Sequence, residues 1–297
     1  PKFPASLLMS APDFQQQIDK AAVLLEALPY FQQFRGQTFL IKVGGSAMDD
    51  PERVKNLLRD VVFLEIAGIN PVLVHGGGKA ISAAMAESGL KPKFVNGLRV
   101  TTDEAMILVE KTLSQTINPG LVSNINDFGG RALGVAGNEV FVGERIPDLG
   151  RVGKVVDFDM SKVLAALASE ITPVVSPVAS EVDTKLPLNV NADLAASALA
   201  SKLKAAKLVY LSDVIGLCKD KDDPSTLISS VQSGSVEAMI EDGTIAGGMI
   251  PKVRSSVDAL NAGVGKVHMV DGRIPHSMLL EIFTESGIGT EIVKSES

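Results

Sequence analysis

The sequence predicts an α/β protein, a three-layer αβα sandwich around a central, mostly parallel open sheet. Three observations carry that expectation. Short apolar strands and amphipathic helices alternate over the whole chain, the pattern of parallel strands joined by crossover helices. Two strands run straight into glycine turns, Phe39-Leu40-Ile41-Lys42-Val43-Gly44-Gly45-Ser46 and Val72-Leu73-Val74-His75-Gly76-Gly77-Gly78. The apolar load, 45% of the residues with no Trp, rests on Leu, Val, Ile and Ala, as suits strands covered on both faces.

The elements follow in order. Pro1 to Pro12 reads as unstructured. From Asp13 to Phe34 the apolar residues Phe14, Ile18, Ala21, Leu25 and Leu28 fall on one helical stripe, which Pro29 should interrupt. A helix placed before the first strand either caps the fold or makes an oligomer contact. After the Lys42 turn, Asp50 and Pro51 form an N-cap and first-turn pair, and Val54, Leu57, Leu58, Val61 and Val62 make a helix face ending at Gly68. A strand at 71–74 comes next. Thr101 and Glu104 have capping-box spacing ahead of a helix; strands are expected at 133–136, 171–176, 208–211 and 266–270, and helices at 162–168 and 192–203. Residues 137–153 and 220–224 read as the longer loops. With 297 residues, two lobes should share the sheet, with their boundary inside it near residue 200.

Composition narrows the function. A net charge of −7 argues against nucleic acid as the main partner. The lone cysteine, Cys218, excludes a disulfide framework, fits a reducing compartment and reads as ordinary core. No run of eighteen apolar residues appears, so the chain is expected to be soluble, intracellular and free of membrane. Three histidines, His75, His268 and His276, make a His-rich metal site unpromising, and no resident metal is expected.

Glycine turns at strand ends suit phosphate, because backbone N–H groups approach an anion closely and the following helix aims its positive end at it. Familiar phosphate motifs nevertheless fail. Gly78-Lys79 is followed by Ala80 and preceded by Leu73 where a Walker A loop needs Ser/Thr and Gly. The dinucleotide fingerprint lacks its last glycine at Ile81. Asp127-Phe128-Gly129 has no kinase catalytic loop upstream, and His75-Gly-Gly-Gly has no Gly-x-Ser-x-Gly nucleophile elbow to serve. What remains is charge at strand ends. Lys42 lies beside one glycine turn, and Gly247-Gly248-Met249-Ile250-Pro251-Lys252 puts a second lysine in a first helical turn. Phosphoryl transfer needs little more than such cations placed around the moving group. Asp193, after Asn189-Val190-Asn191-Ala192, either orients both lysines or caps a helix.

Lys42-Val-Gly-Gly-Ser-Ala-Met, His75-Gly-Gly-Gly, Gly97-Leu-Arg-Val-Thr101, Asn189-Val-Asn-Ala-Asp193, Leu211-Ser-Asp-Val-Ile-Gly216 and Gly247-Gly-Met-Ile-Pro-Lys252 together resemble the ordered motifs of the N-acetylglutamate kinases, within the amino-acid kinase family. The resemblance runs from about residue 20 to residue 293. It implies transfer of the γ-phosphoryl of ATP, carried with Mg2+, to the side-chain carboxylate of N-acetyl-L-glutamate, on the route to arginine. Lys42 and Lys252 match the lysines that neutralise the transferred group, and Asp193 matches the aspartate that holds them. Gly77, Gly78, Arg99 and Asn189 match the substrate site; Gly44, Gly45, Ser212, Asp213, Gly247, Gly248 and Met249 match the ATP site. By the same resemblance residues 1–34 form an extension and oligomerisation helix, 35–200 the acyl-amino-acid lobe and 201–297 the ATP lobe.

The helix before the first strand and the segment from His276 to Thr290 resemble the arginine-inhibited, hexameric branch, a trimer of dimers. The matching inhibitor residues are Tyr30, His268, Glu281 and Gly287; the plain alternative for Glu281 is a solvated helix residue. A signalling protein of the PII type is a candidate partner of such a ring. The compartment implied is the cytoplasm, or the plastid stroma in a photosynthetic eukaryote. Two stretches depart from the pattern: Lys79 stands where relatives have Pro, and Gln115-Thr116-Ile117-Asn118-Pro119 lacks two lysines, while the hairpin expected at Gly137-Asn138-Glu139 is shortened. The alternatives to be tested are a kinase for another acidic acyl-amino acid and a retired kinase that senses nucleotide or arginine.

Overall fold

In the computed structural model, residues 14–220 and 222–295 are described, and the unstructured stretch expected at 1–12 lies outside them. Helices α1 (Gln15–Glu26) and α2 (Leu28–Phe34) come first, broken at Ala27 because Pro29 lacks the N–H of a continuing helix and sits instead in the first turn of α2. They differ in their surroundings. On α1, Ile18, Val23, Leu24 and Leu25 are exposed, whereas Phe34 of α2 is buried and stacks edge-on against Phe39 and Phe283.

Strand β1 (Thr38–Val43) leads through a 3-10 turn at Gly45–Met48 into α3 (Pro51–Ile66), capped by Asp50, whose carboxylate accepts from the Glu52 and Arg53 N–H groups. Then come β2 (Asn70–His75), α4 (Gly78–Glu87), a hairpin of β3 (Lys93–Val95) and β4 (Leu98–Val100), and α5 (Asp103–Glu110). The cap of α5 is Thr102, not Thr101: Thr102 Oγ1 accepts from Ala105 N–H, while Thr101 is fully buried. A π-helical turn, Lys111–Ile117, joins α5 to α6 (Asn118–Asp127), and β5 (Ala132–Val135) follows.

The expected loop at 137–153 is instead partly strand. After a 3-10 turn, Gly137–Glu139, it contains β6 (Phe141–Arg145) and the start of β7 (Val152–Phe158). Gly137-Asn138-Glu139 is therefore a crossing between two sheets and not a hairpin. Helix α7 (Ser161–Ala168) and strands β8 (Thr172–Val175), β9 (Val178–Glu181) and β10 (Pro187–Val190) lead to α8 (Ala192–Leu203) and β11 (Lys207–Ser212). Short strands β12 (Leu217–Cys218), β13 (Leu227–Ile228) and β14 (Ser230–Gln232) precede α9 (Val236–Glu241) and α10 (Met249–Asn261). The chain closes with β15 (Lys266–Asp271), α11 (Ser277–Ile282) and β16 (Thr290–Val293). Cys218 is half-buried on β12 rather than in the core.

Among the described residues eight strands form the main sheet, in the order β14-β16-β15-β11-β1-β2-β8-β5. Every neighbouring pair is parallel except β15 with β16. Alternation along each strand divides the core between its two faces. Leu40, Val72 and Val74 pack with Ala195, Leu199 and Val253 of α8 and α10, while Ile41 and Leu73 pack with Leu58 and Val61 of α3, Ile125 of α6 and Met278 of α11. The strands from before and after residue 200 meet along the β1–β11 pairing. Strands β6, β7, β9 and β10 close on one another into a second small sheet. That sheet was hidden because Gly143 and Gly153 replace core side chains to make room for Leu188.

Candidate active site

Parallel strands deliver their C-terminal turns to one edge of the sheet, where open α/β folds bind ligands. Lys42, next to last in β1, is 7% exposed. It folds back over its own turn, and a Cβ at Gly44 would collide with its Nζ and stand 2.8 Å from its Cε. Helix α8 starts beside it. Asn191 is the residue that caps α8, accepting from the Asp193 and Leu194 N–H groups at 2.9 and 3.2 Å. Asp193 is thus free for the other role left open by the sequence. Its Oδ1 lies 2.8 Å from Lys42 Nζ and its Oδ2 3.5 Å from Lys252 Nζ, which arrives on α10. Burial alone would raise the Asp193 carboxyl; the two ammonium groups outweigh it and hold it below the usual carboxylate range. Tyr210 of β11, unmarked by the sequence, completes the floor: its buried ring lies 5.6 Å from Lys252 Nζ and its hydroxyl donates to the Asp193 carbonyl at 3.3 Å.

A cavity of about 200 Å³ opens beside Lys42 and Asp193, lined also by Gly45, Gly77, Gly78, Arg99 and Asn189. Arg99, 8% exposed, donates from Nη2 to the Gly78 carbonyl (2.7 Å) and Ser82 Oγ (2.8 Å), and its guanidinium lies 4.7 Å from the Phe94 ring centroid. No carboxylate forms an ion pair with it among the described residues. A buried cation without an acidic partner is suited to an incoming anion. Asn189 on β10 is oriented by a 3.0 Å hydrogen bond from Nδ2 to Thr101 Oγ1. Gly77 leaves room for Leu113 and Ile117, pushed forward by the π turn; both would lie 2.7 Å from a Cβ there. The departing segment therefore shapes this cavity from behind through Ile117, whereas Thr116 and Pro119, where the lysines are missing, are exposed. Lys79, also exposed, forms an ion pair with Asp49.

His75 supports the second glycine turn. Wholly buried, its Nδ1–H donates to the Gly76 carbonyl (2.9 Å) and its Nε2 accepts from Asn118 Nδ2 (3.2 Å). Burial pushes its pKa down to about 4. The ring is neutral when folded yet titrates near 6.5 when unfolded, so this part of the stability is complete above pH 6.5 and is lost as pH falls toward 4. We expect Tm to drop over that interval, and the drop to shrink in His75→Gln; thermal melts between pH 7 and 4 measure it.

A second cleft, of about 700 Å³, lies on the other side of the Gly45 turn, bounded by Asp213, Gly216, Cys218, Thr244, Met249 and Arg273. A Cβ at Gly45 would stand 3.5 Å from Asp213 Oδ1, which makes this glycine the junction of the two spaces. Ser212 Oγ, next to Asp213 in the chain, is buried and has no hydrogen-bond partner among the described residues. Gly247 (φ 57°) and Gly248 precede α10 and let Met249 follow at the cleft wall.

A match to the family described as "Amino acid kinase family" covers residues 37–271. The chain belongs to the amino acid kinase family. Among curated members, this amino acid kinase is 59% identical over 288 residues to the acetylglutamate kinase of Akkermansia muciniphila, covering 94% of this chain and 97% of that one. It is 45% identical to the acetylglutamate kinase of Aquifex aeolicus over 295 residues, 93% of this chain and 98% of that one. Among solved structures, N-acetylglutamate synthase from Neisseria gonorrhoeae, complexed with coenzyme A and N-acetyl-glutamate, superposes with a TM-score of 0.83 at 26% identity over 93% of this chain; the kinase spans 64% of that longer chain. Carbamate kinase from Giardia lamblia bound to AMP-PNP shares the fold, with a TM-score of 0.65 at 18% identity over 87% of this chain and 99% of that one.

At the opposite edge of the kinase's sheet a cavity of about 740 Å³ brings together Tyr30, His268, Glu281 and Gly287, with Lys207 and Glu291. Glu281 is no solvated helix residue. It is 8% exposed and accepts from His268 Nδ1–H (2.7 Å) and from the Ile288 and Gly289 N–H groups (2.8 and 2.9 Å). Burial would raise its carboxyl, but these donors hold it below the usual range. Gly287, at φ 59°, leaves the space into which Glu281 Oε2 reaches, 2.6 Å from where a Cβ would be. Lys207 was missed. Its ammonium donates to His268 Nε2 at 2.9 Å, and burial pushes it down to about 8. The available signal was a lysine at the start of a mostly apolar strand, whereas Lys42 was marked by its place at a strand end beside a glycine turn.

Proposed function

We propose that the protein transfers the γ-phosphoryl of ATP to the side-chain carboxylate of N-acetyl-L-glutamate, giving an acyl phosphate and ADP for arginine biosynthesis. The observation that carries this reading is a cavity lined by Lys42 and Asp193, which Asp193 bridges to Lys252, and by Arg99, which has no carboxylate partner among the described residues. Arg99 takes the α-carboxylate and Asn189 the acylamino group, which turns the side-chain carboxylate toward the lysines. A carboxylate oxygen then attacks phosphorus as the bond to the β-phosphate oxygen breaks. Lys42 and Lys252 neutralise the charge on the equatorial and leaving oxygens, and Asp193 keeps the two ammonium groups from drifting apart. Mg2+ comes with the phosphates of ATP and supplies further charge neutralisation there.

The nucleotide occupies the cleft bounded by Asp213 and Met249. Arginine occupies the cavity beside Tyr30, where Glu281 and Glu291 suit its guanidinium, and acts on a hexamer assembled through α1 in the cytoplasm. The test of the reaction is hydroxylamine trapping of the acyl phosphate with ATP and a panel of N-acetylglutamate, free glutamate and other acidic acyl-amino acids. Product with N-acetylglutamate is expected to dominate. A preference for another acceptor, or no ATP-dependent product at all, would overturn the reading in favour of a relative with a different substrate or a sensor.

The acceptor assignment has its own test in Arg99→Lys. Arg99 lines the cavity while Nη2 donates to Gly78 and Ser82 and Nη1 to Met85 Sδ, a planar set of donors that a single ammonium cannot reproduce. The α-carboxylate is remote from the reacting atoms and is bound alike before and during transfer, so KM for N-acetylglutamate should rise by roughly tenfold or more with a smaller change in kcat. Steady-state kinetics decides; an unchanged KM removes Arg99 from the clamp.

A further inference from the structure

The loop after β15 ties three parts of the molecule together. Gly272 N–H donates to the Ser212 carbonyl at 2.8 Å, and a Cβ at Gly272 would lie 2.9 Å from that of Ala47, in the turn that follows Gly45. Asp271, 5% exposed, accepts from the Arg273 N–H and Nε–H at 2.9 Å and from Nη2 at 2.8 Å. Arg273 is thereby held in one orientation on the wall of the cleft assigned to ATP, with Nη1 outside these bonds.

The loop ends at His276, which has left-handed backbone angles (φ 57°, ψ 24°) just before α11. A residue with a Cβ stays in that region when its surroundings hold it there. Asp60 holds it. This carboxylate is 2% exposed in the middle of α3 and accepts from His276 Nδ1–H at 2.6 Å. A buried carboxylate is costly unless a donor meets it, and burial pushes this one up to about 6, so the bond is made by a group with few alternatives.

We propose that His276 is a positioning residue for the nucleotide: anchored to Asp60, it fixes the loop from Asp271 to His276 and so sets where Arg273 meets the phosphates of ATP. The proposal rests on the reading of the cleft beside Asp213 as the ATP site. The acceptor cavity is built from β4, α4 and β10 and does not share this loop. Loosening the loop therefore acts on one substrate only.

The experiment compares KM for MgATP and for N-acetylglutamate in His276→Gly, His276→Asn, Arg273→Gln and the His276→Gly/Arg273→Gln pair. Glycine suits the left-handed backbone but removes the donor; asparagine tolerates that backbone and keeps an N–H at the same place along the side chain. Expected are a rise of about tenfold in KM for MgATP in His276→Gly and in Arg273→Gln, an acceptor KM within about twofold, no further rise in the pair, and recovery in His276→Asn. An unchanged KM for MgATP in His276→Gly, additive effects in the pair, or failure of asparagine to rescue would each overturn the proposal. If His276→Gly does not fold, Asp60→Val, which removes the acceptor without leaving a buried charge, is expected to give the same MgATP-selective rise, and its absence counts equally against us. Ala246→Trp, which fills the cleft, separates the two claims. No effect on KM for MgATP there defeats the ATP-site reading, whereas a raised KM there with a normal His276→Gly defeats only the positioning role.

Discussion

Lys252→Ala should lower kcat by about 10²-fold or more while leaving MgATP affinity much less changed, and Lys42→Ala should do the same. Both ammonium groups converge on Asp193, at 2.8 and 3.5 Å, in a place where Lys42 and Lys252 are almost wholly withdrawn from water. Charge placed there is screened little, and it is oriented before the reaction begins. Its effect is largest where negative charge is greatest, on the phosphoryl group in flight. Loss of one lysine also leaves Asp193 with an uncompensated share of its burial cost, which draws the remaining lysine off its position. Single-turnover and steady-state kinetics of the two variants and of Asp193→Asn measure this. A Lys252→Ala enzyme with near-normal kcat would remove the trio from the chemistry.

The other large effect concerns assembly. Deleting residues 1–27 should give an active enzyme that sediments as dimers and no longer responds to arginine. Ile18, Val23, Leu24 and Leu25 of α1 present apolar side chains to solvent in the isolated chain, a surface that asks for a partner. A second copy of the same helix would cover it symmetrically. The truncation stops at Ala27 because α2 belongs to the core: Phe34 is 7% exposed and stacks with Phe39, and Tyr30 and Phe31 both meet Phe283. Cutting at residue 34 would mix lost assembly with lost stability. In the proposed hexamer arginine would shift the assembly only by binding two arrangements with different affinity, and Tyr30 puts the cavity wall on the helix next to α1. Analytical ultracentrifugation and inhibition curves decide; a truncated protein that stays hexameric and arginine-sensitive would show that α1 is only a cap.

How much of this was legible in the residues follows from the range over which each interaction acts. Strand β1 with Lys42 near its end and two glycines after it, α3 beginning at Asp50-Pro51 and α8 over 192–203 are decided by neighbours a few positions apart, so the alternation, the parallel sheet and the glycine turns could be read directly. Lys42 stood out as a charge at the end of an apolar strand, which costs free energy unless something answers it, while Lys207, just ahead of the expected strand 208–211, was passed over. The partners that answer them come from elsewhere. Asp193 meets two lysines brought in by β1 and α10, and only the sheet order puts those elements side by side; within the sequence it could equally have been the cap that Asn191 turned out to be. Thr101 had the capping-box spacing, but β10 brings Asn189 against it and the cap is Thr102. The small sheet of β6, β7, β9 and β10 escaped notice because its glycines fit a leucine from a distant strand. Local propensity and periodicity wrote the elements and the candidate lysines into the sequence, but the pairing of buried charges with their partners was decided only by tertiary packing, because those partners lie on strands and helices far apart in the chain and the free energy of each group depends on which of them arrives.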